Sequence, residues 1–444
     1  MSPPKPSVLR QDLRAIWVDG IAYSAMVGIG ETYIPAFALA LGLSPVDAGL
    51  VATLPMLAGA LLQLASYRGV AWIGSQRRWV VLNVAIQAAS FLPLCAGALV
   101  GAMPAWLVYA SAALYWASGL GCGPAWNAWV ETLVPKRVRI RYFARRSRAL
   151  HVFVIVGLVS GGWILHSGSE VGRSVTAFAL LFSFACLART LSALALSRQS
   201  EPEPLPSGMR RVGYRDFAKR LLRERGGRLF AYMLSVQLAV QVAAPFFNPY
   251  MLGELGFSYA EHMGLLTAAV VGKFAALPLF GRLAQRHGVR ALLWLGGLAI
   301  VPAPAYWLIG HDWRWLCAAQ VVAGASFAAW ELATFLLYFE AIPRQERASL
   351  LALFNLANAS AIAAGSIAGA RLFAWLGGGA DAYAALFAVS LSLRLATLLF
   401  LRRVGDFEVA PRSVPTGTDA VRPSLGSLEE PVLPGVMRTG PERR

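Results

Sequence analysis

Residues 35–74 read PAFALALGLSPVDAGLVATLPMLAGALLQLASYRGVAWIG, and residues 249–288 read PYMLGELGFSYAEHMGLLTAAVVGKFAALPLFGRLAQRHG. Laid side by side without a gap, at an offset of 214, they carry the same punctuation. Pro35 meets Pro249, Leu41-Gly42 meets Leu255-Gly256, Ser44 meets Ser258, Asp47 meets Glu261, Thr53 meets Thr267 and Gly74 meets Gly288. At an offset of 208, Pro135, Arg139, Gly157 and Gly161 meet Pro343, Arg347, Gly365 and Gly369. At 205, Phe182, Arg189 and Arg198 meet Phe387, Arg394 and Arg403. Two copies of one apolar unit around a common axis make the frame of a transport pathway.

Composition places both copies in a membrane. Hydrophobic residues make up 57% of the 444 and charged residues 14%, against about 25% charged in soluble domains. Between charge clusters run apolar stretches of roughly 20 residues or more, enough for a ~30 Å hydrocarbon core. The net charge of +17 does not indicate nucleic-acid binding, because of where it lies. Only Lys273, Arg189 and Arg394 are expected inside apolar spans, and Arg173, Arg314 and Arg371 near one set of span ends. The remaining cations fall in alternate loops and the termini, which makes that side cytoplasmic. Met1–Arg14 is polar, and the first span is too long and too charged for a cleavable signal. Cys95, Cys122, Cys186 and Cys317 lie in apolar spans as small core residues, without disulfide or metal-ligand spacing. The 36 arginines against 4 lysines point to a GC-rich bacterial genome, and the expected location is a bacterial inner (plasma) membrane with both termini cytoplasmic.

The spacing predicts an all-α polytopic protein of twelve spans. They fall near 14–41, 46–66, 78–100, 104–134, 147–167, 172–197, 229–253, 259–281, 290–310, 313–341, 347–371 and 380–402. The expected organisation is a cytoplasmic N-terminus (1–13), a six-helix bundle (14–197), a cytoplasmic central loop (198–228), a second six-helix bundle (229–402) and a disordered cytoplasmic tail (403–444). Within the central loop, residues 214–222 can form an amphipathic basic helix on an anionic leaflet or remain a solvated linker.

Residues 281–290 read Gly-Arg-Leu-Ala-Gln-Arg-His-Gly-Val-Arg. They resemble the signature of the major facilitator superfamily, Gly-x-Leu-x-Asp-Arg-x-Gly-x-Arg, in the loop after the eighth helix. The resemblance implies two six-helix bundles that rock about a central site. It makes Gly281, Arg282, Arg286, Gly288 and Arg290 a gating motif. Gln285 stands where the family has Asp. The first-half copy keeps only Gly74 and Gln76-Arg77-Arg78, which weakens the contact between bundles that the resemblance implies. Residues 135–148 carry seven cations in fourteen residues, either as an orientation anchor or as a grip on Glu131 and partner carboxylates in the inward-closed state. Gly157-x-x-x-Gly161 and Gly365-x-x-x-Gly369 favour close helix packing.

Charges and amides deep in a membrane are functional candidates. Asp19, Glu31 and Glu331 are candidate ion-coupling residues. Asp19 and Glu31 lie about 120° apart around an ideal helix, so they are not expected on one face. Tyr23, Gln237, Gln241, Asn248, Trp126, Asn127 and Lys273 are candidate substrate contacts. At the 214 offset Tyr23 meets Gln237, and the resemblance implies that the first and seventh helices line the cavity. Lys273 needs a carboxylate, with Glu31 and Glu331 both available. Arg189 and Arg394 read as snorkelling or structural.

The expectation is a monomeric secondary active transporter for a small organic solute, with protons as the candidate coupling ion, in contact with membrane lipids and without a cofactor or metal. A non-transporting sensor or scaffold on the same fold is the alternative. A polytopic transferase would need larger extramembrane loops, and no Gly-Lys phosphate loop points to a pump.

Overall fold

The computed structural model describes residues 6–201, 225–341 and 347–404. Among them every regular element is helical. The basic segment 214–222 and the tail beyond Val404 lie outside the described residues. Nine helices are long and apolar enough to cross a membrane: Pro45–Ile73, Gln76–Val100, Arg145–Glu170, Ser174–Ser197, Gly227–Glu254, Tyr259–His287, Trp313–Leu337, Leu353–Trp375 and Gly379–Leu401. The other three expected spans are helical but interrupted or more polar. The first carries Arg10, Asp12, Arg14 and Asp19, and breaks at Gly30. The fourth is diluted by Gly, Trp, Tyr and Asn, while the ninth is cut at Ile300–Ala305, where Pro302 and Pro304 supply no backbone N–H.

In chain order the first half comprises α1 (Pro6–Ile29), α2 (Ile34–Ala40), α3 (Pro45–Val51), α4 (Pro55–Ile73), α5 (Gln76–Ala89), α6 (Phe91–Val100), α7 (Ala105–Leu133), α8 (Lys136–Glu170) and α9 (Ser174–Ser197). The second comprises α10 (Arg225–Gln241), α11 (Tyr259–His287), α12 (Val289–Ala299), α13 (Tyr306–Ile309), α14 (Trp313–Ala341), α15 (Arg347–Trp375) and α16 (Gly379–Arg403). The cationic connection expected before span five is itself helical: α8 starts at Lys136, directly after Pro135. Arg and Ala are good helix formers, and no Gly or Pro interrupts them.

The sequence repeat reappears in the backbone. Gly42 and Gly256 both hold positive φ, at 81° and 64°. Ser44 and Ser258 each cap the following helix, accepting from Asp47 N at 3.0 Å and from Glu261 N at 3.3 Å. Short 3-10 turns sit at Glu31–Tyr33 and Ala244–Phe246, just before or at a proline. Each marks where the helix loses its ladder to Pro35 or Pro245.

Helix contacts repeat too. In the first half α1 packs on α8 and α9, α4 on α7, and α5 on α7 and α9. In the second, α10 packs on α15 and α16, α11 on α14, and α12 on α14. In lipid, association relies on close packing rather than on water exclusion. The Gly-x-x-x-Gly pairs supply it. A Cβ on Gly157 would lie 3.0 Å from Gly28 Cα, and one on Gly369 would lie 2.1 Å from Val242 O. The halves meet where α8 packs on α11 and where α4 and α3 pack on α15.

The chain leaving α9 is tied to the first half. Asp12 accepts from Ser200 N at 2.8 Å, and Trp129 donates to Ser200 O at 2.8 Å. Glu201 accepts from Ser75 Oγ at 2.6 Å and Arg77 N at 3.0 Å, at the start of α5.

Candidate functional site

Side chains from α7, α8 and α9 converge on Asp19 of α1. Its Oδ1 accepts from Ser192 Oγ at 2.7 Å and its Oδ2 from Trp126 Nε1 at 3.1 Å. Arg189 and Arg146 each stand 3.7 Å away, and all three charged side chains are at most 1% exposed. Arg189 also donates to Gln87 Oε1 and Ser192 Oγ, both at 2.8 Å, and lies over the Tyr23 ring. Arg146 donates to Ile16 O at 3.2 Å and lies over Trp126. A carboxylate this deep tolerates burial because its lone pairs face donors and its charge faces guanidiniums.

Arg146 lies inside the fold, at 1% exposure, although its run of cations reads as the connection between spans four and five. Arg189, read as snorkelling or structural, is fully buried. Trp126 and Tyr23 are buried against it, whereas Asn127 is half-buried.

Glu31, 7% exposed, accepts a hydrogen bond from Tyr115 of α7. Asp19 and Glu31 therefore both reach α7, although an ideal helix would separate their faces. The break at Gly30 precedes Glu31 and resets the helical phase. Two residues on, Tyr33 turns to other helices: it donates to Leu158 O of α8 at 2.6 Å and meets Met263 of α11.

The second half distributes its charge differently. Lys273 of α11 donates to Glu331 of α14 at 2.7 Å, which answers which carboxylate it meets. These side chains are 12% and 21% exposed. Arg394, equivalent to Arg189, donates to Ile300 O at 3.0 Å and is 2% exposed; it too is structural. Gln237 is 2% exposed. Gln241 is half-buried, its Cβ beside Gly365 of α15. Asn248 Oδ1 accepts from His262 Nε2 at 2.9 Å. Thr334 donates to Trp330 O and Glu331 O.

Polar groups also meet across the seam. Asn355 of α15 donates to Gln63 of α4 at 3.2 Å, both buried. His151 of α8 meets the Phe274 ring of α11 with centroids 3.7 Å apart. None of these four had a sequence signal beyond its polarity or aromaticity within an apolar span. Residues 281–290 lie at the basic end. Gly281 is buried, Arg282, Arg286 and Arg290 are exposed, and Gly288 ends α11 with φ of 85°. The side chains of Glu131 and of residues 136–141 lie outside the described residues.

The model of the Major Facilitator Superfamily matches residues 229–436. No curated protein matches the sequence. Solved structures share the fold at low identity. A bacterial homologue of the iron transporter ferroportin, in an inward-facing state, is 14% identical with a TM-score of 0.67, covering 90% of this chain and 99% of its own. The nucleoside transporter NupG is 10% identical with a TM-score of 0.65, covering 88% and 99%. A POT family transporter in complex with a thioalcohol-conjugated peptide is 14% identical with a TM-score of 0.62, covering 90% and 96%.

Proposed function

We propose that this chain, which its match over residues 229–436 places in the major facilitator superfamily, is a secondary active transporter moving a small organic solute by alternating access. Its frame is two six-helix units, 14–197 and 229–402, with 198–228 joining them and 403–444 trailing on the same side. The arginine bias makes that side the cytoplasm of a bacterial inner membrane. The observation that carries this reading is the repeated helix pairing on either side of one seam. Two like units that touch along a seam can rock across it.

Contacts far from the termini support an inward-facing state. Gly49 approaches Pro245, Gly162 approaches Met263, and Phe178 meets Tyr259. In this reading the exposed Arg282, Arg286 and Arg290 become gate contacts when the basic end closes. The solute path runs along the seam, with Lys273 as its principal polar wall and Gln237, Gln241, Tyr23 and Asn127 on the helices around it.

A proton couples through Glu31. The Tyr115 phenol can donate to a carboxylate and accept from a carboxylic acid, so the contact survives either state. Asp19 faces two guanidiniums and Glu331 faces Lys273, so a proton on either opposes an existing ion pair. Purified protein in proteoliposomes tests this. A pH gradient should drive concentrative uptake, and Glu31→Gln should cut that uptake at least tenfold while leaving exchange. Uptake indifferent to the gradient sinks the coupling. If no solute from a broad metabolite panel moves at all, the sensor or scaffold alternative replaces the transporter.

A further inference from the structure

We propose that the solute is a small zwitterion, its carboxylate received by Lys273 and its ammonium by Glu331. The inference rests on the transporter reading and narrows its substrate. Lys273 is the central residue of α11 (Tyr259–His287), at the depth where repeat-built transporters hold their solutes. Glu331 lies on the neighbouring helix, 2.7 Å away. The next residue, Phe274, touches His151 of the first half. The pair therefore stands at the seam, where a solute passing between the halves must be held.

Exposure separates this pair from the other membrane-depth ion cluster. Asp19, Arg146 and Arg189 are closed to at most 1% exposure, whereas Lys273 and Glu331 are 12% and 21% exposed. A brace that serves stability alone gains from being sealed; a receiving site has to be reached.

The chemistry then selects the ligand. A lone anion would take Lys273 and leave Glu331 with an unmatched charge, and a lone amine would do the converse. Breaking one partner of a desolvated pair is costly. A solute carrying both charges replaces one ion pair with two and leaves neither protein charge unmatched. Because the aromatic contact with His151 is adjacent, occupation of the pair is felt by both halves.

The test uses full-length protein in lipid nanodiscs and proteoliposomes. The probes are glycine, β-alanine, 4-aminobutyrate and dialanine, with butyrate and butylamine as single-charge analogues. At least one zwitterion should raise the melting temperature and accumulate in vesicles, while the analogues at equal concentration should not. Lys273→Gln and Glu331→Gln should each weaken that response at least tenfold, and the charge swap K273E/E331K should restore part of it. If the glutamine variants do not fold, Lys273→Arg and Glu331→Asp read the same dependence. The inference is overturned if no zwitterion responds, if butyrate or butylamine responds equally, or if the variants respond like wild type. Flux of another solute that zwitterions do not inhibit overturns it and leaves the transporter reading standing. Zwitterion binding lost in the variants, with no flux, keeps the assignment of the pair and removes the transporter reading.

Discussion

Arg189 and Arg394 occupy equivalent places in the two halves, and their surroundings differ. Arg189 joins Arg146, Gln87 and Ser192 around Asp19. Arg394 donates to the carbonyl of Ile300, with Phe327 beside it. The second half instead places its carboxylate at Glu331, paired with Lys273, both partly exposed. The same helical frame thus carries two electrostatic designs. In the first half buried charge ties five helices into one body; in the second the ion pair is partly exposed. A rocking mechanism can use both, one as a rigid wall and one as the responsive face.

Removing the anchor of the sealed cluster should have the largest effect. Asp19→Asn leaves two buried guanidiniums without their carboxylate and should cost about 3–5 kcal/mol, read as a fall in melting temperature and loss of monodisperse protein. A melting temperature within a degree of wild type would mean the cluster does not hold the first half together. Next come the close helix approaches, which should be alike in both halves. Gly369→Ala drives a Cβ onto Val242 O, and Gly28→Ala drives one onto Val154 O; each should cost about 1–3 kcal/mol. A large loss in one half and none in the other would break the structural equivalence.

A smaller effect belongs to the seam. Gln63→Ala should remove a buried hydrogen bond between the halves, worth about 1 kcal/mol. Spin-label distances between α4 and α15 at the basic end should lengthen; unchanged distances would remove this bond from the gating picture. The smallest stability change is expected where the functional change is largest. The double variant Lys273→Met/Glu331→Leu replaces the whole pair with apolar groups and should alter stability by under about 1 kcal/mol, while abolishing solute response. A stability loss as large as that of Asp19→Asn would make the second-half pair a brace like the first.

Much of the frame was legible along the chain. Gly42, Ser44 and their partners announced the same turns and caps twice, and the structure has them; Gly74 and Gly288 share positive φ but differ in ψ, 12° against 159°. The glycine pairs of α8 and α15 announced close helix approaches. The charge network was legible only in part. Arg146 was hidden among seven cations that read as a connection, and the contribution of Gln87 and Ser192 had no periodic signal. The separation expected between Asp19 and Glu31 assumed one uninterrupted helix. Pro35 was visible four residues after Glu31, yet its effect on phase depends on how the turn at Glu31–Tyr33 is accommodated.

By itself the sequence determined that the chain is apolar, internally repeated and helical, and where its paired turns and caps fall. Those are local properties: proline lacks an N–H, glycine accepts positive φ, serine caps, and a charge in an apolar run must find a partner. Only the tertiary structure decided which partner. Lys273 could have met Glu31 or Glu331, and the packing of α11 on α14 chose Glu331. Asp19 met arginines from α8 and α9, more than a hundred residues away. Pairing of that kind depends on the tilt and azimuth of helices distant in sequence, which no local pattern encodes.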